Sequence, residues 1–268
     1  MRTVGEIARH VFRERVRDRV FYTLVVFAVL LIAASYLLGQ LTAGQEVKII
    51  KDVGLAASSI IGLFVAIFIG IGLVSKEVER RSIYNLLSKP VSRRQVILGK
   101  YAGLVLTLFV NVSVMSVALY AVLAYFNAVA DPTMKAGWEA PAPDPRLLIA
   151  MGLIFVELVV ITAIALVFST FSSPLLSAAL TFGLFVVGHF NADLKHFEQI
   201  VNSRPAAYLA RALYYVLPNL TLFDVKAQVV HGIRVAPMAV VSSLAYAGVY
   251  IAVLIAAAVF IFERRDFK

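Results

Sequence analysis

The amino-acid sequence predicts an all-α integral membrane protein with six transmembrane helices. Hydrophobic residues make up 61% of the 268 residues and charged residues 15%, whereas soluble domains are about half apolar and about a quarter charged. The mean hydropathy is +0.87. Glu157 is the one acidic or basic residue inside the predicted spans, and the fifth span is the shortest. Each stretch approaches the length of about 20 apolar residues that crosses a bilayer; the six are 20–41, 54–74, 101–126, 147–171, 174–190 and 237–262.

Lysine and arginine are concentrated at one end of the predicted bundle. With six spans both termini share a side, and residues 1–19, 75–100 and the C-terminal tail together carry 16 Lys and Arg, against 9 in the longer loops on the other side. Short loops rich in Lys and Arg stay cytoplasmic, so we predict a multi-pass protein of the cytoplasmic (inner) membrane with both termini in the cytoplasm. The net charge of +9 then faces anionic membrane lipids, which argues against a nucleic-acid partner.

Residues 1–19 have the pattern of an amphipathic helix lying at the membrane surface. Apolar residues recur at three- and four-residue spacing, and arginines occupy the other side. The alternative is a positively charged flank that only sets topology, but the sustained periodicity favours a helix. The apolar set is Val4, Ile7, Ala8, Val11, Phe12 and Val16, opposite Arg2, Arg9, Arg13 and Arg17.

Residues 75–100 are predicted to form a helix–break–helix that rigidly joins the second and third spans, and we name them the coupling segment. Pro90 interrupts the first helix. Ser92 then starts the second helix, with Gln95 three residues later as its capping-box partner. The alternative is a solvated basic loop. An apolar side suited to docking counts against that alternative; it consists of Ile83, Leu86, Leu87 and Val91.

The opposite loops differ from the coupling segment in composition. Residues 127–146 are rich in proline and aspartate, which indicates a turn-rich connector. Residues 191–236 are long and contain two apolar stretches, which predict two short helices packed on or dipping into the outer leaflet. We find no internal repeat and no low-complexity linker, so residues 1–268 are predicted to form a single transmembrane domain.

Candidate chemical sites are few. The phosphate-binding Gly-x-x-x-x-Gly-Lys-Ser/Thr loop is absent, so the chain is not expected to bind ATP by itself. Glu157 is costly to bury unless it is protonated or partnered. It has two open interpretations: a residue of a substrate path or conformational switch, or a neutral packing residue. His189, Asp193 and His196 would share one face of a continuous helix, as a metal site needs, although ordinary interfacial polar residues are the favoured interpretation.

The coupling segment resembles the corresponding region of type-2 ABC exporter permeases. The resemblance is carried by Glu77-Val-Glu-Arg-Arg-Ser-Ile, Leu87-Ser-Lys-Pro-Val-Ser-Arg-Arg and Gly99-Lys100. The order of elements along the whole chain is also similar. It is most similar to the branch labelled as permeases for multicopper-enzyme maturation, which includes the accessory permease for nitrous-oxide reductase.

This resemblance implies partners and a coupling site. It implies that a separate cytoplasmic ABC ATPase docks on residues 77–94 and on the N-terminal helix, and that ATP and Mg²⁺ are bound only through that partner. A second copy of the chain, or a paralogue, would complete the transport path. The residues expected to contact the ATPase are Glu77, Glu79, Arg80, Arg81, Ile83, Leu86, Leu87, Pro90, Arg93 and Arg94.

The expected function is that of a non-enzymatic permease subunit of an ABC exporter, with the substrate unidentified. One alternative keeps the fold but makes the complex a mechanical transducer to an extracytoplasmic protein, for example in metalloenzyme maturation. Another alternative is an ion-coupled carrier or membrane enzyme that uses Glu157.

Overall fold

The computed structural model describes residues 2–42, 44–71, 92–190 and 217–264, and these residues contain helices and connections but no β-strand. We number the helices of the described residues α1 to α9. They are α1 (Arg2–Val16), α2 (Arg19–Gln40), α3 (Glu46–Ile71), α4 (Arg93–Val129), α5 (Pro132–Ala136), α6 (Arg146–Phe171), α7 (Pro174–His189), α8 (Lys226–Val230) and α9 (Pro237–Arg264), with a 3-10 turn at Leu220–Phe223.

Five of these helices are long and apolar enough to cross a membrane: α2, α3, α4, α6 and α9. The fifth predicted span, 174–190, corresponds to α7, which has only 16 residues. At a rise of about 1.5 Å per residue, α7 is about 24 Å long and falls short of the about 30 Å hydrocarbon thickness. The described residues therefore contain five full-length candidate spans and one shorter apolar helix.

Helices α3 and α6 form the centre of the bundle. They are the most buried of the candidate spans, whereas α2 and α9 leave most of their surface exposed. Glycine permits their close approach, because a Cβ atom on Gly62 would lie 2.5 Å from Leu158 and one on Gly70 would lie 2.7 Å from Ala165. In lipid, where apolar surface alone gives little drive to associate, small residues that bring helices together are the expected packing device.

A tight turn makes α6 and α7 an antiparallel hairpin. Helix α6 ends at Phe171, and α7 begins with Pro174, a residue favoured at the first helical position because its missing N–H would be unpaired there. The hydroxyl groups of Ser172 and Ser177 are 2.7 Å apart and link the turn to the first turn of α7. This hairpin fixes the register between the two helices.

The bundle has two chemically different ends. We call the end that holds α1, the start of α4 and the end of α9 the basic end. The opposite end holds α5, residues 137–145 and the starts of α6 and α9. At that end Lys48 is 2.6 Å from Glu139, and Lys51 donates to the Pro141 carbonyl at 2.9 Å. These contacts fasten the proline-rich connector to α3, so the connector is an ordered cap.

Candidate functional site

The predicted ATPase-coupling residues are only partly described. Arg93 and Arg94 lie within the described residues. The others fall outside them: Glu77, Glu79, Arg80, Arg81, Ile83, Leu86, Leu87 and Pro90. The docking surface on the coupling segment therefore stays a prediction. The described residues show where this segment enters the bundle, at the start of α4.

Helix α4 begins at the predicted capping box. The Ser92 hydroxyl accepts from the Gln95 N–H at 3.4 Å, and the Gln95 side-chain oxygen accepts from the Ser92 N–H at 3.2 Å. From there α4 continues for 37 residues without interruption, a length of about 55 Å. A single rigid helix thus runs from the end of the coupling segment to the opposite end of the bundle.

Arg93 and Arg94 bind the end of α9. The Arg93 guanidinium donates to the carbonyl oxygens of Phe262 and Glu263, both at 3.0 Å. Arg94 forms an ion pair of 2.8 Å with the Glu263 carboxylate. The last carbonyls of a helix lack intrahelical partners and carry its negative dipole end, so arginine is well suited to this position. The family resemblance implies that both residues contact the ATPase; in the described residues they join α4 to α9.

Helix α1 packs across the start of α4 at two glycines. A Cβ on Gly99 would lie 2.7 Å from the Ile7 Cβ, and one on Gly103 would lie 2.7 Å from the Ala8 carbonyl oxygen. Two glycines four residues apart permit close helix packing, and in the structure the helix that packs on them is α1. At the basic end, α1, α4 and α9 are therefore held together next to the coupling segment.

The structure brings Glu157 and His189 together. The Glu157 side chain is 1% exposed, and its Oε1 atom lies 3.2 Å from Nε2 of His189. Glu157 precedes the end of α6 by fourteen residues, and His189 follows the start of α7 by fifteen, so the hairpin places them level. Neither carboxylate oxygen has a hydrogen-bond partner among the described residues. The two side chains are thus close enough for an ion pair, but their orientation does not meet the angles of a hydrogen bond.

Sequence reasoning treated Glu157 and His189 separately and missed this pair. The nearly equal number of residues on the two sides of the turn, fourteen and fifteen, was the signal that could have found it. Within the described residues no group of three or more potential metal ligands occurs, but the interpretation of His189 as one of three ligands stays a prediction. Asp193 and His196 lie outside the described residues.

Residues 217–230, which we name the covering segment, fold back into the bundle beside this pair. The Asn219 N–H donates to the Tyr246 hydroxyl at 2.9 Å, and the Ser243 hydroxyl donates to the Leu222 carbonyl at 2.8 Å. These α9 residues lie about 9 to 14 Å along the helix from its start. The first part of the covering segment is therefore irregular backbone with a single 3-10 turn at membrane depth, which is tolerated where protein buries it or water reaches it.

The covering segment is anchored at both of its ends. A Cβ on Gly188 would lie 2.9 Å from Leu220, so α7 touches the 3-10 turn directly. Beyond α8, the Arg146 guanidinium donates to the Gly232 carbonyl. The two apolar stretches that predict short outer helices fall almost wholly within 191–216, outside the described residues, so those two helices stay a prediction. The described part of 191–236 contains instead the 3-10 turn and α8.

The fold and the site together define a helical membrane protein with several candidate spans. Its helix α4 runs from the basic end of the bundle to the opposite end. The chain matches the family described as ABC-2 family transporter protein over residues 6–267. Because the match spans nearly the whole chain, the protein belongs to the ABC-2 transporter family. Members are generally membrane subunits for transport rather than enzymes, and they normally work with a cytoplasmic ABC ATPase. No curated protein matches the chain.

Proposed function

We propose that this protein is the permease subunit of an ABC exporter and that a separate cytoplasmic ATPase drives it. The observation that carries the proposal is the basic end, where the coupling segment continues into α4, and α4 is fastened to α1 and α9. A displacement of the coupling segment would therefore act on three helices at once. Family membership supports the same function.

In the proposed topology the basic end faces the cytoplasm, as the distribution of Lys and Arg indicates. Helix α7, which ends level with Glu157 inside the bundle, belongs to the sixth crossing. Both termini are then cytoplasmic, and residues 130–145 face the other side. A second permease copy or a paralogue completes the path.

The proposed mechanism divides the work between two proteins. The ATPase partner binds ATP and Mg²⁺, because this chain lacks a phosphate-binding loop. Closure of the ATPase dimer moves the coupling segment, and α4 transmits that movement along its length. Arg93 carries the same movement to α9 through the last carbonyls of that helix. The assignment to the branch labelled as permeases for multicopper-enzyme maturation stays a prediction.

Docking of the ATPase on the coupling segment is tested by substitution at Leu87. Buried apolar anchors supply most of the affinity of an interface, so Leu87→Ala should weaken docking by about 1–2 kcal/mol. Leu87→Asp should abolish docking by burying an unpaired charge. The measurement is co-purification of an ABC ATPase, identified by mass spectrometry, together with its ATP hydrolysis.

The matched control is Ile233→Asp, which adds the same charge at an exposed residue of the opposite end and should leave the ATPase bound. Membrane levels of all variants should be equal, since neither residue lies in a span. Retention of the ATPase by Leu87→Asp would remove the coupling segment from the interface. ATP-dependent efflux from vesicles, screened over chemically diverse substrates, separates an exporter from a mechanical transducer.

A further inference from the structure

Glu157 and His189 form a buried acid–base pair that ATP-driven transport does not by itself require. The carboxyl group is almost fully desolvated, and its oxygens lack hydrogen-bond partners among the described residues. The imidazole at 3.2 Å is 24% exposed. The pair therefore joins a buried side chain to one that is partly exposed at the surface of the bundle.

The possible charge states of this pair differ strongly in the free energy needed to bury them. An ionised carboxylate without partners is costly to bury. An ionised Glu157 beside a neutral imidazole would place such a charge in the bundle. With one more proton on the carboxyl group, both side chains are uncharged and no charge is separated in a low-dielectric surrounding. The arrangement seen here thus favours a protonated Glu157.

Within the part of the chain that the structure describes, the ionisable groups around Glu157 other than His189 do not supply a compensating charge. Asp224 and Lys226 on the covering segment pair with each other at 3.6 Å, so their effects on Glu157 oppose one another. Helix α3 meets this level at Gly62, far from its ionisable residues 46–52. The remaining groups are tyrosines with neutral side chains: Tyr101 on α4, which donates to the Val159 carbonyl at 3.1 Å, and Tyr246 and Tyr250 on α9.

The covering segment packs against both helices that carry this pair. It meets α7 at Gly188, next to His189, and it holds on to α9 by two hydrogen bonds. Departure of this segment would admit water, in which a carboxylate and a neutral imidazole are both stable. Any group that binds a proton more tightly in one conformation than in another links that conformational equilibrium to pH.

We propose that Glu157 and His189 are a proton-binding site that takes up one proton when the covering segment closes and releases it to water when the segment opens. A fall in pH on the opposite side of the membrane then favours the closed arrangement. This inference goes beyond ATP-driven transport, and it can be tested on the full chain without the ATPase.

The first test measures the opening of the covering segment by thiol labelling. The chain contains no cysteine, so a single cysteine replaces Leu222, whose side chain is 40% exposed. A matched control cysteine replaces Met134, which is similarly exposed and lies on α5, away from the pair. Full-length protein in nanodiscs is labelled with an impermeant maleimide over a pH series. The labelling rate at position 222 is divided by the rate at position 134. This rate ratio removes the pH dependence of the thiol reaction itself.

The rate ratio should rise with pH in the parent, and both Glu157→Gln and His189→Gln should change its pH dependence. Glu157→Gln keeps the shape of the side chain and should leave the ratio constant and low. A ratio that does not vary with pH in the parent would overturn the proposal. So would a Glu157→Gln variant with the same pH profile as the parent, which is the result expected of a packing residue.

The second test determines the protonation state of Glu157 in the parent protein, with Glu157→Gln as the reference. Infrared spectroscopy separates the carbonyl stretch of a protonated carboxyl group from the bands of carboxylates. Most carboxyl groups ionise well below neutral pH, so a protonated band that persists at neutral pH should be present in the parent and absent in Glu157→Gln. Absence of this band from the folded parent at neutral pH would overturn the proposal.

Discussion

The contact between Arg93 and the end of α9 makes the strongest prediction about coupling. Arg93→Gln removes a guanidinium that donates to the carbonyls of Phe262 and Glu263, both at 3.0 Å. Glutamine is shorter and uncharged, so it cannot hold both carbonyls or offset the negative end of the helix. The change leaves the capping box of α4 intact, since that box uses Ser92 and Gln95.

The expected magnitude follows from the surroundings of these bonds. A hydrogen bond to a charged group contributes about 1.5–3 kcal/mol when it is well formed, and a cation at an exposed helix C-terminus about 0.3–1 kcal/mol. Phe262 is 3% exposed, whereas Glu263 is open to solvent. We therefore expect the junction to lose about 1–2 kcal/mol, a factor of about 5–30 in an equilibrium between joined and separated helices.

The assay follows the far end of α9, where a cysteine replaces the exposed Met238 and is labelled with an impermeant maleimide with and without ATP. In the complex with its ATPase, Arg93→Gln should bind the ATPase normally but lose most of the ATP-dependent change in labelling. Arg93→Lys should restore it only in part, because an ammonium lacks the planar fork. Arg13→Gln is the matched control, since it removes one positive charge from an exposed residue of α1.

Two results would contradict this reasoning about Arg93. An unchanged ATP response in Arg93→Gln would mean that the contact does not transmit movement to α9. A loss of ATPase binding that is largest at low salt and shrinks as the salt concentration rises would instead place Arg93 at the ATPase interface, because salt screens exposed charges.

Three further predictions concern packing, pH and topology. Gly103→Val should lower the unfolding temperature, because the new side chain meets α1 and overpacking costs about 1–3 kcal/mol; Gly152→Val, at a glycine with no neighbour within 4 Å, should not, and equal effects would contradict this packing. The hydrogen bond from Lys48 lowers the pKa of Glu139, so their pairing should stabilise the fold above a pH of about 4.3 and be lost as the pH falls through the lowered pKa. The acid side of the thermal-stability profile should accordingly be flatter in Glu139→Gln; identical profiles would show that the pair has no effect. A cysteine at Ala136 should react with an impermeant reagent from outside the cytoplasm, and labelling from the cytoplasmic side alone would reverse the topology.

Much of the fold could be predicted because the thickness of the bilayer sets the length of a membrane-spanning helix, and apolar stretches of that length are visible in the sequence. The predicted spans 20–41, 147–171 and 237–262 agree with α2, α6 and α9 to within two residues at each end. The start of α4 was also predictable, since the capping box at Ser92 is a local device read over four residues. Helix α3 begins eight residues before the predicted span, because its first turns pack under the cap at the opposite end rather than in lipid.

The sequence by itself thus determined which segments are buried in a membrane, which end is basic and that Glu157 is an unusual residue in a span. Only the tertiary structure decided the partners: His189 for Glu157, α1 for the two glycines of α4, and the last carbonyls of α9 for Arg93, which is 169 residues from Phe262. Hydropathy records the preference of each segment for lipid or water, and all spans share that preference. Which helices become neighbours depends on close packing and hydrogen bonds between distant residues, and these exist only once the helices have assembled.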